Sequence, residues 1–229
     1  MQTRIDHLVI GAGNLMQGVD YVRNCLGVNI PYGGVHRKMG THNHLMRLGD
    51  GAFLEVITIN HQIESPNSPR WYGLDDPFIQ KQIEMQPTLL TWVVNTGNIN
   101  ELIRRAKFSL GKTKLISRGD LSWYFGLPDD GRLLAGGMLP YAIEWQTDEH
   151  PSANMADLGC SLHCLEIYHP YSSWIQSSIK SIGALNLVKI NSLPKNEAPY
   201  LIAYISTPNG IKQLYSCAVF NKILHRTSR

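Results

Sequence analysis

No apolar run in this 229-residue chain approaches the ~20 residues that a helical membrane span needs, so membrane spanning is not expected. Charge is also scarce, at 17% of residues, with 21 basic against 18 acidic side chains. The basic residues are scattered, and Arg37-Lys38 and Arg104-Arg105 are their only adjacent pairs, which argues against a nucleic-acid partner. Cysteine is limited to Cys25, Cys160, Cys164 and Cys217. The Cys160-x-x-x-Cys164 spacing has no second pair to complete a metal clip, so the four are read as thiols buried in a reducing cytosol. Met1-Gln2-Thr3-Arg4 leads straight into a strand pattern, so a secretory leader is not expected either and the localisation reads as cytoplasmic. Gly11-Ala12-Gly13 sits between a strand and a helix as a dinucleotide loop does, but Met16 stands where the third glycine belongs.

What the chain does have is repetition. Ile5-Asp6-His7-Leu8-Val9-Ile10-Gly11-Ala12-Gly13-Asn14-Leu15 reads beside Leu89-Leu90-Thr91-Trp92-Val93-Val94-Asn95-Thr96-Gly97-Asn98-Ile99. Each is an apolar strand, a turn ending in asparagine, and a helix start. Alternation puts Ile5, His7 and Val9 on one strand face, with Asp6, Leu8 and Ile10 on the other. Asn14 reads as a helix N-cap, and Leu15, Val19, Val22 and Leu26 recur at helical spacing before Gly27. The second helix is predicted over 99–110. A second matched pair, Phe53-Leu54-Glu55-Val56 and Ala142-Ile143-Glu144-Trp145, places an acid at the same point of two apolar strands. An internal repeat constrains architecture more strongly than a single motif does.

The expected fold is a single α+β unit over 1–229 built from βαβββ modules at 3–60 and 87–147, with a partial third at 158–216. Residues 60–86, carrying Pro66, Pro69 and Pro77, read as a long connector that packs down through Trp71 and Tyr72. If the two full modules pair symmetrically, His7 and Glu55 face Thr91 and Glu144 across a cleft. A carboxylate between apolar neighbours is costly unless a cation, a base or water neutralises it. One imidazole and two carboxylates meeting at a hollow describe a divalent-metal site with open positions. Taken singly, a strand histidine is more often structural and a strand glutamate more often solvated.

The chain resembles the glyoxalase-like domain family of the vicinal oxygen chelate superfamily. The resemblance rests on Ile5-Asp6-His7-Leu8-Val9-Ile10, Gly33-Gly34-Val35-His36, Gly40-Thr41-His42-Asn43-His44-Leu45, Leu48-Gly49-Asp50-Gly51-Ala52-Phe53-Leu54-Glu55, Leu139-Pro140-Tyr141-Ala142-Ile143-Glu144-Trp145 and His150-Pro151. It implies paired modules around a cleft in which a divalent ion (Zn, Ni, Mn or Fe) holds two adjacent oxygens of a small-molecule substrate. His7, Glu55 and Glu144 fall on three of the four ligand positions of the glyoxalase I pattern, and Thr91, a poor ligand, falls on the fourth. The implied activity is of lyase, isomerase or dioxygenase type, with Glu55 or Glu144 doubling as the base. His36, His42 and Asn43, with Thr91 and Trp92, are the expected substrate contacts. Thr41 and Asn43 are equally suited to holding loop backbone. Trp92, Trp123, Tyr124 and Trp145 suit either a pocket wall or the core. The alternative of the same fold is a metal-free protein that binds or sequesters a small molecule. A homodimer is the assembly that the superfamily implies.

Overall fold

The computed structural model describes residues 3–216; Cys217 lies outside them. The chain opens with β1 (Arg4–Gly11), α1 (Leu15–Leu26), β2 (Tyr32–His36), β3 (Thr41–Arg47) and β4 (Phe53–Ile59). A connector holds α2 (Pro77–Met85), and a second run follows: β5 (Thr88–Asn95), α3 (Ile99–Arg105), β6 (Lys112–Arg118), β7 (Leu121–Leu127) and β8 (Tyr141–Trp145). These eight strands make one mixed sheet in the order β2-β3-β4-β1-β5-β8-β7-β6, curled into a half-barrel. β1 and β5 run antiparallel at its centre, while β1–β4 and β5–β8 are the parallel pairs.

Local chemistry explains the repeated helix starts. The Asn14 side chain accepts the Gln17 N–H at 3.0 Å, and the Asn98 side chain accepts the Glu101 N–H at 2.9 Å. Each satisfies a backbone donor that the first helical turn leaves open. Gly27 ends α1 at φ 78°, a conformation that costs glycine little. Val22 and Leu26 are fully buried, each contributing about 1.5–3 kcal/mol of transfer free energy. Gly18 lets α1 settle on the sheet, since a Cβ there would come within 2.3 Å of Val56. The second helix is shorter than its apolar pattern predicts, because the chain turns to extended backbone at Ala106 (ψ 132°).

A separate four-stranded sheet holds β9 (Ser161–His169), β10 (Lys189–Ser192), β11 (Tyr200–Thr207) and β12 (Gly210–Tyr215), with α4 (Ser172–Ser181) between its first two strands. Its element order is again βαβββ, but its strand order, β10-β9-β11-β12, differs from that of the first module. Here β9 pairs in parallel with β10, not with the last strand. β12 packs against α1 and β5. Cys160 is buried, whereas Cys25 and Cys164 are half-buried, so the expectation of uniformly buried thiols does not hold.

The connector packs down as predicted, with Trp71 and Tyr72 3% and 2% exposed. Tyr72 takes a left-handed backbone (φ 59°, ψ 22°). For a bulky non-glycine residue this conformation is strained and needs surrounding structure to hold it.

Candidate active site

A partly open hollow in the half-barrel, with about 40 Å³ of room inside it, has His7, His36, Asn43, Glu55, Tyr72 and Arg118 on its polar side. Trp71, Trp123, Phe125, Ile143 and Trp145 are among its apolar walls. His7 is 3% exposed and stacks on Phe53, with ring centroids 4.4 Å apart. Its Nδ1–H donates to Asp6 Oδ1 at 2.5 Å, and its Nε2 accepts the Tyr72 hydroxyl at 3.2 Å. Glu55 Oε2 stands 3.7 Å from the same Nε2.

Asp6 is the unexpected member. Alternation assigns it to the face opposite His7, but the register of β1 on β5 breaks between Ile5 and His7. Such a bulge re-aims adjacent side chains. The carboxylate is fully buried and accepts four donors. Besides His7, these are His150 Nε2–H at 2.9 Å, Trp145 Nε1–H at 2.8 Å and Asn95 Nδ2–H at 3.1 Å. His150 Nδ1 accepts the Ser152 N–H, which leaves the proton on Nε2 to point at Asp6. Burial pushes the Asp6 pKa up, but hydrogen bonds from His150 and His7 outweigh it and hold the carboxyl well below the usual range.

The opposite wall carries one permanent cation. Arg118 Nη1 donates to His36 Nε2 at 3.1 Å and to Asn43 Oδ1 at 3.2 Å. Asn43 in turn donates to Glu55 Oε1 at 2.6 Å. Since a guanidinium only donates, His36 Nε2 must be the acceptor, and its Nδ1–H points to Thr41 Oγ1 at 3.2 Å. Burial, with Arg118, His7 and His42 nearby, lowers the His36 pKa to about 3, so the ring stays neutral. Burial, with Glu55, Tyr141 and Asp6 nearby, raises the Tyr72 pKa well above its ordinary value. Its hydroxyl is therefore a donor throughout the physiological range.

His7, Glu55, His36 and Asn43 thus share one cavity, and the other expected residues do not. Glu144 lies between Ile143 and Trp145, which face the cavity, so it projects from the other side of β8. There its Oε2 accepts the Ile99 N–H at 2.7 Å, at the first turn of α3. A one-residue offset in matching the two strands turns every side chain to the wrong face. His42 alternates with Asn43 and also faces away; burial, then His44 and His61, lower its pKa. Thr91 and Trp92 are sealed beneath 134–138, donating to the carbonyls of Gly137 (3.3 Å) and Met138 (3.2 Å). Alanine at Glu144 is expected to cost about 0.5–2 kcal/mol through loss of a helix-terminus bond, while leaving ligand affinity unchanged. Urea unfolding and calorimetric titration of the same variant read both quantities.

The donor set does not fit the expected metal. Among the described residues no three His, Cys, Asp or Glu side chains form a group able to hold an ion. His7 and Glu55 are left as two ligands where three are usual, and a guanidinium shares the same cavity. Chelator treatment, or added Zn²⁺, Ni²⁺, Mn²⁺ or Fe²⁺, is accordingly expected to move the thermal midpoint by no more than about 1 °C. A metal-specific rise of several degrees, abolished by His7→Gln, would restore the metal reading.

The family profile described as glyoxalase-like domain matches residues 5–182. The chain belongs to the glyoxalase-like domain family. No curated protein matches this glyoxalase-like chain in sequence. Among solved structures, a hypothetical protein from Staphylococcus aureus is similar, with a TM-score of 0.57 and 12% identity over 93% of this chain and 85% of that one. A methylmalonyl-CoA epimerase from Mycobacterium tuberculosis gives a TM-score of 0.38 and 15% identity over 62% of this chain and 86% of that one. A methylmalonyl-CoA epimerase in complex with methylmalonyl-CoA and NH4+ gives 0.41 and 16%, over 66% and 100%. At 12% identity the likeness to the Staphylococcus aureus protein bears on the fold alone. No described helix of this glyoxalase-like protein is long and apolar enough to cross a membrane.

Asp6, Tyr72 and Arg118 were not among the expected site residues. Asp6 carried one signal, an acid inside a run of buried apolar residues. Tyr72 lies in the proline-rich connector and Arg118 at the end of a polar strand, where nothing local marks them.

Proposed function

We propose that this glyoxalase-like protein is an acid–base enzyme of isomerase or lyase type. It acts on a small metabolite with adjacent oxygens, and His7 is the base. The observation that carries this reading is the buried Asp6–His7 pair, with Nε2 turned into a cavity that also holds a cation. A buried carboxylate on Nδ1–H fixes the tautomer and stabilises the imidazolium once a proton arrives. The step is proton abstraction beside a carbonyl. The C–H bond breaks, a new N–H bond forms on His7 Nε2, and the electron pair moves onto the carbonyl oxygen. Tyr72 O–H, which hydrogen-bonds His7 Nε2, is placed to turn its hydrogen bond to that oxygen. The positive charge gained by His7 then lies between Asp6 and Glu55.

The divalent-metal component of the family expectation is not carried into this proposal, because two protein ligands are too few. The half-buried and buried free thiols Cys25, Cys160 and Cys164 agree with a reducing compartment.

The test is proton NMR of 2-hydroxy acids, 2-oxo acids and dicarbonyls in D₂O with purified protein. The expected result is enzyme-dependent loss of one carbon-bound proton signal in at least one compound. A second reading, ligand binding without turnover, draws on the aromatic walls, which suit a hydrophobic guest. It is favoured if a compound binds and none exchanges.

A further inference from the structure

The edges of the eight-stranded sheet are β2 and β6, its two most distant strands. The curl brings them together, and Arg118 at the end of β6 closes the gap by reaching His36 on β2 and Asn43 on β3. The reach passes Gly34, where a Cβ would lie 3.7 Å from Arg118 Nη1. As a clasp, this arrangement uses only part of the guanidinium. Both Nη1 hydrogens are taken, by His36 Nε2 and Asn43 Oδ1. The Nε–H and Nη2–H edge meets no protein acceptor, and no described carboxylate pairs with Arg118. Nor are these nitrogens sealed from solvent. Trp71, on the same cavity, adds a buried indole N–H with no partner. Buried donors without partners are rare in native proteins and call for an acceptor.

We infer that the ligand of this cavity is an organic acid whose carboxylate docks on the Nε/Nη2 edge of Arg118. The planar fork matches a carboxylate with two parallel hydrogen bonds, a geometry that lysine does not offer. His36 and Asn43 hold the guanidinium in the plane that presents this edge. The Asn43 amide stands between Arg118 and Glu55, which keeps the cavity's own carboxylate off the fork. The inference rests on the functional reading above and narrows its substrates. Among compounds with adjacent oxygens, 2-hydroxy and 2-oxo acids fit, whereas neutral dicarbonyls and catechols leave the fork empty.

The experiment titrates the full chain calorimetrically with pyruvate, lactate and mandelate, each against its neutral amide. At least one acid is expected to bind below about 10 mM, with its amide roughly tenfold weaker or worse. Arg118→Gln should remove the preference for the acid, and Arg118→Lys should lose most of it despite keeping the charge. A clasp with no ligand role predicts an acid-to-amide ratio near one in every variant. The inference is overturned if amide and acid bind alike, if Arg118→Gln keeps the preference, or if no acid in the panel binds. Circular dichroism reports whether Arg118→Gln folds. If it does not, the wild-type ratio and Arg118→Lys decide. Acid binding without deuterium exchange retains the anchor and removes the proton-transfer reading. Exchange on a neutral dicarbonyl alone does the reverse.

Discussion

Alanine at Asp6 is expected to lower the unfolding free energy by about 3–5 kcal/mol, a large share of what a protein of this size has. The carboxylate is fully buried and is the shared acceptor for His7, His150, Trp145 and Asn95. Removing it strands buried donors, and each one left without an acceptor costs about 1–3 kcal/mol. Asparagine keeps one acceptor oxygen but sets an NH₂ against N–H donors, so its cost should be smaller though still clear. The pH dependence has a definite sign. The folded-state pKa of Asp6 lies below its unfolded value, so its contribution is complete above the ordinary carboxylate range. That contribution fades as pH falls through the range towards the lower folded value, beginning near about pH 5. Urea unfolding between neutral and acidic pH should therefore show wild-type stability falling and the alanine variant falling less steeply. A neutral-pH loss below about 1 kcal/mol would remove Asp6 from the centre of this network.

The paired strand–helix units were legible because their determinants are local. Asn14 and Asn98 cap helices through bonds to residues three positions on, and the stripe of Val22 and Leu26 needs only helical periodicity. Sheet position is not local. Whether Glu144 faces the cleft depends on a one-residue register choice that two short apolar strands do not specify, and matching acid to acid chose the wrong parity. The same alternation turns His42 out and Asn43 in. Asp6 was assigned to the opposite face because a bulge, invisible in the pattern, interrupts β1. β2 and β6 are polar edge strands without the apolar alternation that marks a strand. The contact between Arg118 and His36 forms only when the whole sheet curls. The candidate site thus combines residues such as His7 and Glu55, carried by the family resemblance, with Arg118 and Tyr72, which depend on closure over long sequence separations.

The curl has a chemical consequence. It holds a buried imidazole, a neutral hydroxyl donor and a cation around one hollow, each fixed by neighbouring side chains. His7 is held by Asp6, Tyr72 by the rings of Trp71, Phe125 and Tyr141 packed against it, and Arg118 by His36 and Asn43. Groups fixed before the ligand arrives need little reorganisation as charge develops, which is where such sites gain most over water.

His7→Gln is the variant expected to change activity most. Glutamine approximates the reach of the imidazole and offers Asp6 an N–H, so the fold and the Asp6 network should survive with a loss of about 1 kcal/mol. It has no basic nitrogen to take a proton. Deuterium incorporation into the exchanging compound should fall by about 10²–10⁴-fold, the usual contribution of a positioned base, while the dissociation constant of the same compound changes by less than about threefold. Arg118→Gln should do the opposite, weakening binding first. If both variants weaken binding equally and exchange survives in His7→Gln, the base lies elsewhere, and Glu55, 3.7 Å from His7 Nε2, is the next carboxylate to test. Glu55→Gln keeps a carbonyl acceptor for Asn43, so a fall in exchange confined to that variant would move the proton to Glu55 and leave His7 as its neighbour.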